Sequence, residues 1–310
     1  MKKIFKSIIL TAVVSVFCFA PITTKAQDDQ SVTLQTFYDQ LAPYGQWVNY
    51  APYGNVFIPN AGPGFVPYST NGHWEYTDDY GWTWDSDYPW GWACFHYGRW
   101  NYDASYGWFW IPDTQWGPAW VVWRNSDQYY GWAPLPWGVD INVGINNGYG
   151  IPDPYWCFVP VAYMGDPYIY RYYMPRANND IFVRHTAIIA RINYDNAHHF
   201  GFFIGPDVQD VERFHHGPVD HVVINFNADP HHAYGQHELG FYRPAPVAER
   251  HDVQIAPAHV VRVEDVPRRN VPAPQQHFNP QPQQQHFTPQ PQRAPAPNRG
   301  GGNFGGGHHR

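Results

Sequence analysis

Aromatic side chains recur at every second position in short segments of residues 37–138, and polar, glycine-containing turns separate these segments. Trp74 and Tyr76 precede the letters TDDYG, and Trp82 and Trp84 follow them. Because successive side chains of a β-strand point to opposite faces, a spacing of two places both rings of a pair on one face. Two such segments joined by turn-forming residues predict a β-hairpin.

The hairpin pattern is repeated along the chain. The segment that begins at Gly72 aligns with the segment that begins at Gly98, at a constant offset of 26 residues. An earlier copy begins at Gly45, and a partial copy begins at Trp123. These copies predict a mainly β fold, with antiparallel β-hairpin repeats in series over residues 37–138. A meander, a small barrel and a sandwich all remain open as ways of closing the series.

Tryptophan is unusually frequent in these repeats, with twelve between Trp74 and Trp132 and very little Leu, Ile or Val. Burial of a large ring removes much apolar area from water, so most of these rings are predicted to form the core. Trp90 and Trp116 lie in proline- and glycine-containing connections instead of the strand pairs. Because loops on a rigid scaffold often carry binding residues, these two and the nearby Tyr97 are the candidate ligand-binding residues.

Residues 139–246 predict a second, mostly β region, because segments such as YWCFVPVAYM, YIYRYYMP and DIFVRHTAIIARINY combine aromatic and β-branched residues. One short helix is predicted over residues 206–214, with Pro206 at its first position, Asp207 in its first turn and Arg213 near its end. Residues 247–310 lose the periodic apolar pattern and become rich in Pro, Gln and Gly, which predicts a disordered tail.

The first 26 residues are typical of a secretory signal peptide. Lys2, Lys3 and Lys6 precede an apolar run, and a small-residue site ends at Ala26. We expect cleavage after Ala26, export to the periplasm or outer surface of a bacterium, and a short linker over residues 27–36. No later stretch is apolar and long enough for a transmembrane segment.

Removal of this segment leaves a chain without lysine, because all four lysines precede residue 27. Subtracting them from the 19 Lys and Arg leaves 15 arginines against 26 acidic residues, a formal charge of −11. A Schiff-base lysine and a P-loop are therefore excluded, and binding to nucleic acid is not expected.

Cys94 and Cys157 are the cysteines that remain after cleavage. A disulfide between them and two buried free thiols are both open, since sequence does not show proximity. Eight of the 17 histidines fall between residues 198 and 237 and raise the question of a transition-metal site. Neighbouring residues on a strand point to opposite faces, so adjacent His pairs chelate poorly, and neither a metal site nor a cofactor is predicted. These eight are His198, His199, His215, His216, His221, His231, His232 and His237.

Pairs of acidic residues beside aromatic rings suggest a glycoside hydrolase, which uses two carboxylates. The pairs are Asp78 with Asp79 and Asp85 with Asp87. Such acids recur at equivalent repeat positions, as Asp87 and Asp113 do, and aspartate is a common turn residue. Catalysis requires one distinctive pair whose pKa values differ, so the sequence favours a protein that is not an enzyme.

The run GRWNYDASYGWFWIPDTQWGPAWVVWRNSDQYYGWAPLP, from Gly98 to Pro136, resembles an uncharacterised family of exported bacterial proteins with tryptophan-rich YXWGXW-type repeats, a domain of unknown function. The matching features are the Gly-x-Trp steps at Gly45, Gly72 and Gly98, the Trp-Gly-Trp of residues 90–92 and the YGWAP of residues 130–134. The resemblance covers most of residues 37–246. It implies an exported, mainly β protein and carries over no activity and no catalytic residue.

These observations predict an exported cell-envelope protein with a non-enzymatic structural or binding role. Its expected partner is an envelope glycan or another envelope protein. The alternative is a carbohydrate-binding module that uses Trp90, Trp116 and Tyr97, and a glycan hydrolase comes third.

Overall fold

The computed structural model describes residues 32–139, 141, 150–195, 200–215, 217–226, 237–242 and 255–268. This part of the chain is mainly β, with 15 strands in several small sheets, as the sequence predicts. The four predicted hairpins are all present. They pair β1 (Gly45–Tyr50) with β2 (Gly54–Pro59), β3 (Gly72–Thr77) with β4 (Gly81–Ser86), β5 (Arg99–Asp103) with β6 (Gly107–Ile111), and β7 (Val121–Asn125) with β8 (Tyr129–Pro134).

The register of the hairpins places aromatic residues directly opposite each other. Such cross-strand pairs stabilise a sheet because their side chains touch on one face. All of these rings belong to one large core cluster. The opposed pairs are Trp47 with Phe57, Trp74 with Trp84, Trp100 with Trp110, and Trp123 with Trp132.

The hairpins are distributed over separate sheets. The first and third join through β2 and β6 in a five-stranded sheet of order β15-β1-β2-β6-β5, in which β15 is Val261–Arg262. The fourth lies in a sheet of order β10-β7-β8-β9, with β9 at Cys157–Pro160 and β10 at Ala187–Ile189. The second hairpin forms a two-stranded sheet by itself. The strands of the described residues thus form neither a single meander nor a closed barrel.

Two further small ladders belong to the later part of the chain. One joins β11 (Ile192–Asp195) and β12 (Phe200–Phe203) in antiparallel fashion, and the other joins β13 (Val223–Asn225) and β14 (Glu238–Gly240) in parallel. Backbone hydrogen bonds from Trp82 to Ile204 and from Val222 to Tyr76 attach neighbouring segments to both edges of the second hairpin.

The five-stranded sheet is apolar on both faces. Trp47 and Phe57 face the main core, and the alternate residues Val48 and Val56 belong to a second, smaller cluster. Residues 261–266 cover this second cluster, since β15 pairs in parallel with β1 and Val266 is buried. The prediction of a disordered tail from residue 247 is therefore wrong for residues 255–268. The other residues of the predicted tail lie outside the described ones.

The first helix, α1 (Leu34–Leu41), occupies part of the predicted linker. Thr33 caps it by accepting a hydrogen bond from the Thr36 N–H, and Phe37 and Leu41 are buried. The prediction of a linker is wrong for residues 32–36, because this apolar face packs into the core. Residues 1–31, and with them the predicted signal peptide, lie outside the described part of the chain.

Three other α-helices whose two ends both lie in the described residues are short: α2 (Gly91–Cys94), α3 (Asn179–Arg184) and α4 (Val208–His215). The sequence therefore predicts too few helices, since it predicts only one. Helix α3 lies where the start of a strand is predicted. Helix α4 confirms the helix predicted over residues 206–214. Its start is shifted because the Asp207 carboxylate accepts a hydrogen bond from the Gln209 N–H, which makes Asp207 the cap residue.

Thirteen of the 15 tryptophans are buried; of the other two, Trp92 is half-buried and Trp137 is 43% exposed. The indole N–H groups of Trp47, Trp82, Trp110, Trp120 and Trp132 donate to backbone carbonyl oxygens, which fixes the orientation of these rings. The tryptophans therefore form the core of the fold, as the sequence predicts.

Acrylamide is expected to quench only a small part of the native tryptophan fluorescence, because a quencher reaches exposed rings first. Trp137→Phe should remove most of this quenchable part, since Trp137 is the most exposed indole. Stern–Volmer measurements on both proteins check this, with the unfolded chain in urea as the fully accessible reference. Equal quenching of the native and unfolded chains would contradict the buried core.

Candidate functional site

The three residues that the sequence nominates for ligand binding lie in the core. Trp90, Trp116 and Tyr97 are only 3%, 8% and 2% exposed. Trp90 stacks against Tyr88 at 4.5 Å and against Phe95 at 5.6 Å between ring centroids. Trp116 stacks against His96, and Tyr97 packs against Phe37. Protein rings occupy the faces that a ligand would need, so these residues form no exposed stacking surface.

Cys94 and Cys157 are both buried, and both are free thiols. Of the two alternatives that the sequence leaves open, the structure contains free cysteines and no disulfide between these two residues. Burial raises the pKa of both thiols, which keeps them protonated and chemically inert.

Only three of the eight histidines lie in the described residues, namely His215, His221 and His237. His221 pairs with the Asp78 carboxylate at 2.7 Å. Within the residues that the structure describes, no three His, Cys, Asp or Glu side chains are grouped so that they could hold a metal ion. The other five histidines, His198, His199, His216, His231 and His232, lie outside the described residues.

A small cleft of about 80 Å³ includes Asp85 and His96 among its lining residues. Burial raises the pKa of Asp85, and the nearby charge of His73 opposes this effect. Burial also lowers the pKa of His96 to about 4. Burial is the largest cause of both displaced pKa values. The displaced pKa values therefore follow from packing.

A larger cleft of about 290 Å³ lies between the edge of β3, the turn of residues 165–167 and the end of α4. Its lining residues in the described part of the chain include the acidic Glu75, Asp166 and Asp220, together with Tyr76 and His215, and no lysine or arginine. We call this site the acidic cleft. Carboxylates are hydrogen-bond acceptors, so the cleft suits a ligand that is rich in hydroxyl or amine donors.

The acidic groups of the cleft differ in their partners. Glu75 accepts a hydrogen bond from His73 at 2.8 Å, and the Asp166 carboxylate accepts one from the Tyr168 backbone N–H at 2.7 Å. The Asp220 side chain is exposed, and the buried Nδ1 of His215 has no hydrogen-bond partner in the described part of the chain. Asp220 is thus the acid most available to a ligand.

Hydrogen bonds hold the walls of the acidic cleft in place. The Val222 N–H donates to the Tyr76 carbonyl at 2.9 Å, and the Val219 N–H donates to the Glu212 carboxylate at 3.2 Å. Gly165 has a φ of +85°, and a Cβ there would lie 3.2 Å from the Trp82 ring. The turn can therefore approach the hairpin closely because this residue is glycine.

Residues 168–172 follow the cleft wall directly, and we call them the tyrosine turn. Tyr168 and Tyr170 are each 54% exposed, while Ile169 between them is fully buried. The Arg171 guanidinium carbon lies 4.6 Å from the centre of the Tyr168 ring and 5.7 Å from that of Tyr170. Tyr172 stacks on Tyr163 at 3.7 Å with nearly parallel planes. The turn presents two aromatic rings and one cation to solvent.

The prediction of a strand for the letters YIYRYYMP is wrong, because Ile169–Tyr172 is a 3-10 helix. The preceding Asp166 and Pro167 are turn-forming residues, and the Asp166 side chain and backbone both accept N–H groups from residues 168 and 169. Asp166 and Pro167 are therefore the signal in the sequence that indicates this turn.

The fold and the candidate site define a mainly β protein of aromatic hairpins with an acidic cleft at its surface. Residues 38–139 match a family model described as "Family of unknown function (DUF6600)". The match covers the four hairpins and the Glu75 side of the cleft. No curated protein and no solved structure matches the chain. Among the described residues, no helix has the length and apolar content needed to cross a membrane.

Proposed function

We propose that this protein is a non-enzymatic binding module of the bacterial cell envelope. The observation that carries this proposal is the acidic cleft, which is open to solvent on a scaffold of packed aromatic hairpins. The N-terminal segment supports export, and the formal charge of −11 after its removal argues against nucleic acid as the partner.

The placement of the ionisable groups supports a binding role over catalysis. The groups whose pKa is displaced furthest, such as Cys94 and Tyr68, are buried among aromatic rings, and burial is the main cause of their displacement. Enzymes instead displace the pKa of groups that face substrate. The acidic cleft offers hydrogen-bond acceptors, which bind donors without any chemical step.

The test is sedimentation of the purified exported chain with isolated bacterial envelopes, followed by assay of released sugars. We expect the protein to sediment with the envelopes and to release no reducing sugar over hours. Asp220→Asn should weaken retention several-fold, and Asp127→Asn, an equal change of charge on the exposed turn of the fourth hairpin, should not. Steady release of sugar by the wild type would contradict a non-enzymatic role.

Carbohydrate binding is the second candidate, and the exposed tyrosine turn is the observation that favours it. Sugars bind proteins through flat aromatic rings combined with hydrogen-bonding side chains, and tyrosine provides both at low entropic cost. Tyr168 and Tyr170 provide the exposed rings that Trp90, Trp116 and Tyr97 do not.

A further inference from the structure

We infer that the tyrosine turn is the contact surface for an uncharged polysaccharide, with Tyr168 and Tyr170 stacking on sugar rings and Arg171 donating to their hydroxyl groups. This inference rests on the carbohydrate-binding function proposed above and names its site and its ligand class. The site differs from the one that the tryptophan pattern suggests.

The exposure of the two tyrosine rings is built into the local structure. Ile169 is fully buried between them, and the Met174 N–H donates to the Phe158 carbonyl at 2.9 Å just beyond the turn. The side chains on either side of Ile169 must therefore point outward while the backbone is held against the core. A rigid turn that presents two large rings to water loses little entropy when a ligand stacks on them.

Tyr168 and Tyr170 form an edge-to-face pair. Their planes meet at 82°, and their centroids lie 6.4 Å apart. Because the planes are nearly perpendicular, the faces of the two rings point in different directions, and a sugar that stacks on one ring can contact the edge of the other. A flat apolar face on each sugar can pack against a ring, as apolar groups do on aromatic faces.

Arg171 adds hydrogen-bond donors to this surface. Its side chain is fully exposed and forms a hydrogen bond with Tyr170. Among the residues that the structure describes, Arg171 has no carboxylate partner. A guanidinium group carries five N–H donors in a planar fork, and it cannot satisfy all of them on one phenol. The remaining donors are available to hydroxyl oxygens of a ligand.

The surrounding charge favours a neutral polymer over an acidic one. Asp166 lies two residues before Tyr168, and the acidic cleft with Glu75 and Asp220 adjoins the turn. Arg171 is the only cation of the turn, and the mature chain has a formal charge of −11. A polymer of uronic acids would therefore meet net repulsion that extends over about one Debye length, ~8 Å at physiological salt.

The experiment compares the binding of cellohexaose, a neutral oligomer, with that of a galacturonic-acid hexamer, by calorimetric titration of the exported chain. We expect binding of the neutral oligomer and at least about tenfold weaker binding of the acidic one at low salt. The double variant Tyr168→Ala with Tyr170→Ala should bind cellohexaose roughly tenfold more weakly or worse. Arg171→Gln should weaken binding by a smaller factor.

Tyr194→Ala provides the matched control, since Tyr194 is 51% exposed and lies on β11, outside the tyrosine turn. It should leave the affinity for cellohexaose within about twofold of the wild-type value. Unchanged thermal unfolding of the double variant will show that the loss is not a loss of fold. Normal cellohexaose binding by the folded double variant overturns this inference but leaves carbohydrate binding intact. Preference for the acidic hexamer overturns the neutral ligand class, and binding of neither oligomer overturns both proposals.

Discussion

Gly98→Ala is expected to destabilise the protein by on the order of 3 kcal/mol, a large share of the stability of a typical domain. A Cβ at this position would lie 2.2 Å from the Ile111 carbonyl oxygen and 2.8 Å from the Trp110 Nε1 atom. Gly98 also has a φ of +62°, where a side chain is strained. Equilibrium unfolding in urea measures the change.

Substitutions at three other glycines separate the steric overlap of the Cβ from the strain of a positive φ. Gly72→Ala tests the steric effect alone, because its Cβ would lie 2.3 Å from the Asp85 carbonyl oxygen and no positive φ is involved. Gly54→Ala tests the backbone effect alone, since φ is +79° and no atom lies within 4 Å. Gly64→Ala has neither problem. We expect losses of roughly 2 kcal/mol for Gly72, about 1 for Gly54 and about zero for Gly64. A stable Gly72→Ala variant would show that the hairpins are less tightly packed.

The same contact explains why glycine recurs at the start of the repeats. In the first three hairpins, the glycine lies against the ring 12 residues later and the carbonyl 13 residues later, as Gly45 does with Phe57 and Ile58. The large ring covers the position where a Cβ would stand. The Gly-x-Trp step is therefore a packing requirement of one ring against the opposite strand, and it gives no sign of a ligand.

The sequence predicts the hairpins because their information is local. A spacing of two between aromatic residues and a turn in the middle determine each strand pair without reference to the rest of the chain. The way in which the hairpins assemble is not local. Phe57 and Trp110 join the first and third hairpins, although the second lies between them in the chain, and no feature of the repeat distinguishes that pairing from others.

The ordered segment at residues 255–268 was predictable in principle. Val48, Val56 and Ile58 alternate with the aromatic residues of the first hairpin, and Phe109 and Ile111 do so in the third. Strands that are apolar on both faces require a cover on each side. The sequence thus signals that some segment packs there, but the two-residue pairing of Val261 and Arg262 with β1 is too short to reveal which one.

The candidate site could not be derived from the sequence in the same way. The acidic cleft brings together Glu75, Asp166 and Asp220, which are far apart in the chain. The expectation that tryptophans in loops face solvent failed because the fold has few aliphatic residues and uses nearly every indole inside. The exposed aromatic rings are therefore mostly those of tyrosines, whose hydroxyl group is compatible with water.

Acid is expected to destabilise the protein through His96, a fully buried side chain. Its Nδ1 lies 3.0 Å from the Gly117 carbonyl oxygen, its ring lies 4.2 Å from that of Phe241, and burial lowers its pKa to about 4. In the unfolded chain the histidine pKa is about 6.5, so the unfolded state takes up the proton first as the pH falls. The free energy of unfolding should therefore fall by about 3 kcal/mol between about pH 6.5 and pH 4, and stay level with respect to this group below that.

His73 and Asp85 change the free energy of unfolding in the opposite direction as the pH falls, so the test must separate their effect from that of His96. Burial lowers the pKa of His73, but the hydrogen bond to Glu75 and the neighbouring acids outweigh burial, so this pKa is raised. The pKa of Asp85 is also raised, mainly by burial. A raised pKa adds stability as the pH falls, because the folded state then holds its proton more tightly. The measurement is urea unfolding of the wild type and of His96→Gln over this pH range. The variant keeps a donor for the Gly117 carbonyl but does not titrate, so the difference between the two curves isolates His96. A difference that stays constant from neutral to acid pH would show that His96 does not carry this dependence.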